Sequence, residues 1–367
     1  MRAGCVIMHK VAVGLLVVLV VACGSRSVPV PGRLPNDTGG FVDVKPTTTT
    51  TTTAPPSSTS TTTTTTTTLA SPPTTTTTTT PAPPTTAAPS SATTVIPCGT
   101  YGSVGTYGPL GVVNFTGRNG TAAAPLVYEG RGCVRLISRG WQVGLVANSS
   151  YIVLDGFEFV GPDPADGTGP HDPTTGVEIR DSHHIIVRNS NVHDLGGGGI
   201  AAIRSNHVTI DGNTIAHTSR WNGYQTSGIS TYNSANIGGV TDGYSFMITN
   251  NTVSDAINLQ GAISDGNCII IDDGRWTQNT GTAFTGRTYV GYNTCTGNGG
   301  RGVHVFQSDN VMAEYNTTSG NVLNVNSAKG ELTAVYASNV TYRYNTVTPR
   351  AGIPVLYTYS ATNVAGP

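Results

Sequence analysis

Apolar and polar positions alternate in short runs that return along the chain. Residues 183–192 (HHIIVRNSNV), 206–215 (NHVTIDGNTI), 244–253 (YSFMITNNTV), 286–295 (GRTYVGYNTC), 309–318 (DNVMAEYNTT) and 338–347 (SNVTYRYNTV) align without gaps, and 149–159 (SSYIVLDGFEF) is a more divergent copy. Alternation with a period of two is the mark of a half-buried strand. Five copies carry an asparagine at one position, Asn213, Asn251, Asn293, Asn316 and Asn345, with Ser190 replacing it in the first. Counted from Ser190, these positions lie 23, 38, 42, 23 and 29 residues apart, so the bare unit is 23 residues and the longer intervals contain inserted loops.

A second short strand precedes each copy: 176–180 (GVEIR), 199–203 (GIAAI), 228–232 (GISTY), 268–272 (CIIID), 302–306 (GVHVF) and 331–336 (ELTAVY). No stretch of this region has helical periodicity. Strands this short cannot bury their own faces and must stack on the next repeat. The pattern predicts an all-β chain: a single right-handed parallel β-helix, a solenoid of about 7–9 coils, in which each unit is one coil. The recurring asparagine then forms an internal ladder at the strand spacing of about 4.8 Å. A sandwich would not keep one asparagine in phase, and a propeller blade needs a period nearer 40 residues.

The insertions fall just before or just after the second strand, at 160–175, 217–227, 256–267 and 319–330, or at 233–243 and 273–287. Loops on both sides of one sheet wall a groove whose floor is that sheet. With Val177, Ile179, Ile229, Ile269, Ile271, Val303 and Val305 pointing inward, alternation puts Glu178, Arg180, Ser230, Tyr232, Ile270, Asp272, His304 and Phe306 on the floor. Asp265, Asp273, Arg275, Trp276 and Arg301 fall in the flanking turns. Carboxylates, arginines, a histidine and aromatics spread over several coils suit a long, hydroxyl-rich, acidic glycan.

The chain's N-terminal part reads differently. Arg2 and Lys10 precede an apolar run from Val11 to Ala22, the order of an export signal and too short for a typical membrane span. The run ends in VVAC, which resembles the lipobox of bacterial lipoproteins; the resemblance implies cleavage after residue 22 and lipidation of Cys23, against the alternative of an ordinary signal whose cysteine is incidental. From Pro46 to Gly117 no residue is charged, and up to about residue 94 the chain is nearly all Thr, Pro, Ser and Ala. That composition predicts a disordered stalk over 23–95, a candidate for O-glycosylation, ahead of a β-helix domain over 96–367. Four cysteines remain in the body, allowing two disulfides; proximity along the coils favours Cys98 with Cys133 and Cys268 with Cys295. A formal net charge of −1 gives no footprint for nucleic acid, and the chain is expected to act as a monomer on the outer face of a bacterial membrane or as a secreted protein.

The segments at 124–132 (APLVYEGRG), 148–161 (NSSYIVLDGFEFVG), 193–200 (HDLGGGGI), 226–234 (TSGISTYNS), 265–273 (DGNCIIIDD) and 298–311 (NGGRGVHVFQSDNV) resemble the pectate-lyase-like superfamily of right-handed β-helix proteins, and more loosely the exported right-handed β-helix repeat proteins of bacteria. The resemblance covers about residues 121–350 and is specific for fold, since the superfamily contains lyases, hydrolases, epimerases and adhesins.

Asp265, Asp272 and Asp273 are hard oxygen donors of the kind Ca²⁺ takes. In the lyases resembled here, Ca²⁺ clamps a uronate carboxylate while a Lys or Arg removes the C5 proton. That resemblance implies Arg301 or Lys329 as base, Lys329 being the one lysine of the domain. The DDGRW run is similar to the calcium turn of polysaccharide lyase family 9, with Trp276 where a further Asp is expected. Polygalacturonase-type hydrolases share the fold and imply Asp272, Asp273 and His304 as the working set, although neither GHG nor RIK occurs. The plainer reading has the aspartate pair capping the turn amides of DDGRW. Glu178 and Arg180 read most simply as solvated edge residues, and Tyr232, Trp276 and Phe306 as sugar-stacking or shielding groups. The expectation is a lyase on a uronic-acid polymer, with a glycoside hydrolase and a non-catalytic carbohydrate-binding or adhesion module as alternatives.

Overall fold

The computed structural model describes residues 92–103, 108–138, 140–163, 172–221, 225–239, 243–259, 265–324 and 329–366. The expected export leader, Cys23 and the Thr/Pro tract up to residue 91 lie outside them.

The chain is a right-handed parallel β-helix. One sheet holds eight parallel strands, from Gln142–Ala147 through Thr175–Arg180, Ile200–Ile203, Ile229–Tyr232, Ile269–Asp272, Val303–Phe306 and Leu332–Val335 to Leu356–Tyr359. That is eight coils, within the expected range. The second half of each coil runs through a larger sheet of seventeen strands, which begins with Ala92–Val95, four residues ahead of residue 96.

Register shows why the sequence folds this way. Val177, Ile200, Ile229, Ile269, Val303 and Leu332 pair in one file, each fully buried, so every coil places one aliphatic side chain on the aliphatic side chain below it. A lone strand of four residues would leave both faces wet. Stacked, its inward side chains lose nearly all contact with water, roughly 1.5–3 kcal/mol for each large aliphatic residue.

The turn between the two halves of the larger sheet carries the asparagine ladder. Asn213, Asn251 and Asn293 each donate Nδ2–H to the Oδ1 of the next asparagine, at 3.0, 2.9 and 2.9 Å, and Asn316 closes on Asn345 at 3.0 Å. The same Oδ1 atoms also accept a backbone N–H from the previous coil. The residue before each ladder position takes the left-handed conformation: Asn189, Gly212, Asn250, Tyr292, Tyr315 and Tyr344 have φ between 51° and 64°. A second amide ladder was not anticipated. Asn298 bonds Asn321, and Asn321 donates to both oxygens of the buried Glu331.

The two disulfides pair as expected, Cys98 with Cys133 and Cys268 with Cys295.

Candidate active site

Parallel register turns the alternation of the eight-stranded sheet into two outward files. Ser230, Ile270, His304, Thr333 and Tyr357 occupy one; Tyr232, Asp272, Phe306, Val335 and Tyr359 occupy the other. The floor is therefore as the sequence predicts, but it is not bare. Ile270 and His304 are each only 5% exposed although both point out of the coil.

Beside this floor, Asp265, Asn267 and Arg301 form a buried knot. Gly266 has φ of +84°, and a Cβ there would lie 2.6 Å from the Ala256 carbonyl oxygen; a Cβ on Gly300 would lie 2.4 Å from Asn267 Oδ1. Two glycines thus let the turns of adjacent coils close around Asn267. Its Nδ2 donates to Ser227 Oγ at 3.0 Å and to Asp265 Oδ1 at 3.2 Å, while its Oδ1 accepts the Arg301 backbone N–H at 2.9 Å and Nη1 at 3.4 Å. Arg301 Nη1 stands 3.9 Å from Asp265 Oδ1.

Burial sets the charges here. It pushes Asp265 up to about 6 although Arg301 pulls the other way. Asp272 goes well above the usual carboxylate range, first through the crowding of protein around it and then through the charges of Asp265 and Asp273, with Gln278 Nε2 donating to Oδ1 at 3.3 Å. By exposed area its side chain is half-buried, and the charges of the two neighbouring carboxylates disfavour its ionisation. Burial also lowers the Arg301 guanidinium, and holds His304 well below an ordinary imidazole, with Arg301 adding repulsion. His304 is consequently neutral at pH 7, its Nδ1 bonded to Thr333 Oγ1 at 2.5 Å. Tyr357, next in the file, lies close enough to Arg301 for their charges to interact. Lys329 sits exposed at the rim, its Nζ 5.9 Å from the Tyr357 ring centre.

Four of the anticipated residues, Asp265, Asp272, Arg301 and His304, therefore converge. Others are committed to the fold. Asp273, fully buried at φ 41°, accepts the Thr277 N–H at 2.6 Å and Oγ1–H at 2.8 Å, the Gln278 N–H at 2.9 Å and Asn233 Nδ2 at 2.8 Å. It caps the DDGRW turn, as the plainer reading had it. Arg275 forms a bidentate pair with Asp309 at 2.8 and 2.6 Å and donates to Ser338 Oγ, pinning the turn to the larger sheet. Trp276 donates Nε1–H to the Ser234 carbonyl at 2.8 Å and packs on Gly281. The turn they build carries Asn279, whose Nδ2 reaches the Tyr232 hydroxyl at 2.7 Å. Phe306 keeps its place on the floor, 5.6 Å from the His304 ring. Glu178 and Arg180 pair with each other three coils away, about 14 Å at the strand spacing, and Gln142 donates to Glu178 at 2.9 Å.

The donor set does not fit the anticipated calcium site. Both Asp273 oxygens are taken by the turn and Asp265 faces a guanidinium, leaving Asp272 alone where a calcium ion wants six to eight oxygens. Among the described residues no three His, Cys, Asp or Glu side chains are grouped to hold a metal.

Reading the sequence alone passed over Asn267, Thr333, Tyr357 and Gln278. Thr333 and Tyr357 could have been found by extending the His304 file two further coils.

No protein-family model matches the chain, and no curated protein does. Among solved structures, the alginate lyase from Paenibacillus sp. str. FPU-7 is similar at 15% identity and a TM-score of 0.42, over 75% of this chain and 91% of that one. The pectate lyase Pel9A is similar at 13% identity and a TM-score of 0.38, over 72% of this chain and 68% of that one. Tailspike protein 2 of the Escherichia coli O157:H7 bacteriophage CAB120 is similar at 12% identity and a TM-score of 0.40, over 74% of this chain and 38% of that one. At these identities the likeness is one of coil architecture, and the chemistry of the groove rests on its own residues.

Proposed function

We propose that the groove binds an acidic polysaccharide and cleaves it by β-elimination. The observation that carries this is the burial of a guanidinium, Arg301, beside a neutral imidazole, His304, with the Asp272 carboxyl pushed well above the usual carboxylate range on the same floor. Elimination next to a uronate carboxylate needs three things: a cation to quiet the carboxylate, a base for the C5 proton, and an acid for the leaving oxygen.

In a site shielded from water, Arg301 paired to the substrate carboxylate stabilises the charge that develops as the C5–H bond breaks. Neutral His304 takes that proton. As the C4–O4 bond breaks and the C4–C5 double bond forms, Asp272 gives a proton to O4. Solvent then returns His304 and Asp272 to their starting states. Asn267 and Asp265 orient Arg301 throughout. Lys329 and Tyr357 flank the far side, where a further uronate would lie. No step is routed through a metal.

The same proposal holds that the protein works outside the cell, carried by a lipid on Cys23 and acting as a monomer. Those features rest on the leader's residues and on composition.

A hydrolase is the second reading, favoured by one feature: Asp272, pushed well above the usual carboxylate range, stands near Asp265, raised to about 6, so that two carboxyls are available as an acid and a base. The test is incubation with polymannuronate, polyguluronate and polygalacturonate, following the ultraviolet absorbance of unsaturated ends. Elimination is expected with at least one polymer, falling about 10²–10⁴-fold in His304→Gln and in Arg301→Ala. Reducing ends without that absorbance support the hydrolase. Binding without cleavage supports a non-catalytic module, and intact elimination in both variants removes the assignment of roles.

A further inference from the structure

The outer face of the larger sheet carries a second concavity. Its floor is the outward file Val153, Ile186, Thr209 and Met247, set side by side by register on successive coils. A cavity of about 370 Å³ lies over this floor, inside the roughly 300–1,000 Å³ typical of sites for small ligands.

One wall is a stack of rings. Tyr151, His184 and His207 occupy equivalent left-handed positions, φ 54°, 55° and 49°, one per coil. Their ring centres are 4.4 and 4.3 Å apart, with planes 17° and 19° from parallel. The wall is fixed from behind. His183 Nδ1 bonds His184 Nδ1 at 2.8 Å, and a Cβ on Gly238 would lie 2.7 Å from the His183 ring, so the inserted loop presses flat against it. His207 Nε2 donates to the Gly239 carbonyl at 2.9 Å. Rings held this way are in place before a ligand arrives, and binding does not have to order them.

Among the described residues, the lining contains no Asp, Glu, Lys or Arg. Burial, then the neighbouring histidines, lowers His184 to about 4, which keeps it uncharged at neutral pH. This separates the site from the charged groove on the eight-stranded sheet. Backbone groups of these strands are paired on both sides, so a peptide cannot bind here by adding a strand. What remains is an apolar floor with a hydroxyl at its middle, Thr209, and hydroxyls at Tyr244 and Ser245 on its margin. Equivalent groups recur at the coil spacing of about 4.8 Å, which suits an extended repeating chain.

We propose that this trough binds a neutral glycan chain, one sugar ring lying over Ile186, Thr209 and Met247 against the wall of Tyr151, His184 and His207. The ring's C–H face covers the apolar floor, and its hydroxyls meet Thr209 and the polar edges of the wall. The inference is independent of the elimination reaction, because it uses a different sheet and no charged group.

The test is saturation-transfer NMR with cellohexaose, mannohexaose and xylohexaose on the whole protein. Transfer to at least one is expected, weakened about tenfold in Thr209→Trp, which fills the trough, and in Met247→Glu, which charges its floor. His304→Gln should leave it unchanged within about twofold, and Thr209→Trp should leave any elimination activity intact. Far-ultraviolet circular dichroism checks that each variant folds; if one does not, the other gives the reading. No transfer from any of the three sugars, or equal transfer in the folded trough variants, overturns the proposal.

Discussion

Arg301 Nη1 and Asp265 Oδ1 face each other at 3.9 Å, both residues 8% exposed, with Asn267 bonded to each. The two come from turns on adjacent coils, so the pair ties one coil to the next as well as setting the charge of the site. Asp265→Ala removes an acid that faces the buried guanidinium and is expected to cost about 3–5 kcal/mol. Asp265→Asn, which keeps the bond from Asn267, should cost less. Urea unfolding of the three proteins measures this, and equal stability of all three would show that the pair contributes nothing.

Asp273→Ala should act on stability and on activity together. It orphans the Thr277 and Gln278 amides and the Asn233 side chain, each bonded to a carboxylate and worth about 1.5–3 kcal/mol. The loop that brings Asn279 to Tyr232 then loses its anchor. Added calcium is expected not to raise the melting temperature of wild type, since this carboxylate is already saturated. A calcium-dependent rise that Asp273→Ala abolishes would show that the turn opens to take the ion.

The legible part of this chain was whatever repeats. Asn213 through Asn345 could be read as a ladder because one side chain in phase over five coils has no other use, and alternation at period two put His304 and Asp272 on the same floor. Convergence of Asp265 with Arg301 followed, since both precede second strands of adjacent coils. What did not repeat stayed hidden. Whether Asp273 faces a ligand or its own turn depends on the path of residues 274–287, and that path is set by Arg275 reaching Asp309 and Trp276 reaching Ser234, contacts 34 and 42 residues apart. The ladder from Asn298 to Glu331 was missed for a different reason: an acid replaces the amide in its last rung, so no common residue marks it.

The asparagine ladder gives a graded prediction. Asn293 bonds asparagines on both sides and also donates to the Ile248 carbonyl, all buried, whereas Asn345 ends the ladder and is partly exposed. Asn293→Ala should cost roughly 3 kcal/mol or more, from about 1–3 kcal/mol for each buried group left unpaired, and Asn345→Ala about a third of that. Equal losses in denaturant titrations would mean that rungs do not support one another.

Cys268 and Cys295 are bonded across a coil with a separation of 27 residues, directly behind Asn267. Closing a loop of that length restricts the unfolded chain by about 3.5 kcal/mol in the entropic account. The double variant Cys268→Ala, Cys295→Ala should lose about that much, and elimination should fall with it because Asn267 is next in the chain. An unchanged unfolding midpoint would show that the bond only fills space.

Stability should depend on pH in two opposed ways, and single variants separate them. Asp265 binds its proton more tightly folded, at about 6, than unfolded, at 3.8, so between those values the folded chain holds more protons and loses stability as pH rises. That difference corresponds to about 3 kcal/mol, fully present below pH about 4 and gone above about 6. His304 works the other way. Its folded form resists the proton that the unfolded form takes below 6.5, so it lowers stability as pH falls from 6.5. Urea unfolding at half-unit steps from pH 4 to 7 should show Asp265→Asn gaining on wild type as pH rises, and His304→Gln gaining on wild type as pH falls. If the difference between Asp265→Asn and wild type is flat across that range, Asp265 is not buried beside Arg301 in the way described. If only that for His304→Gln is flat, the imidazole is solvated, and the neutral base of the proposed elimination loses its physical ground.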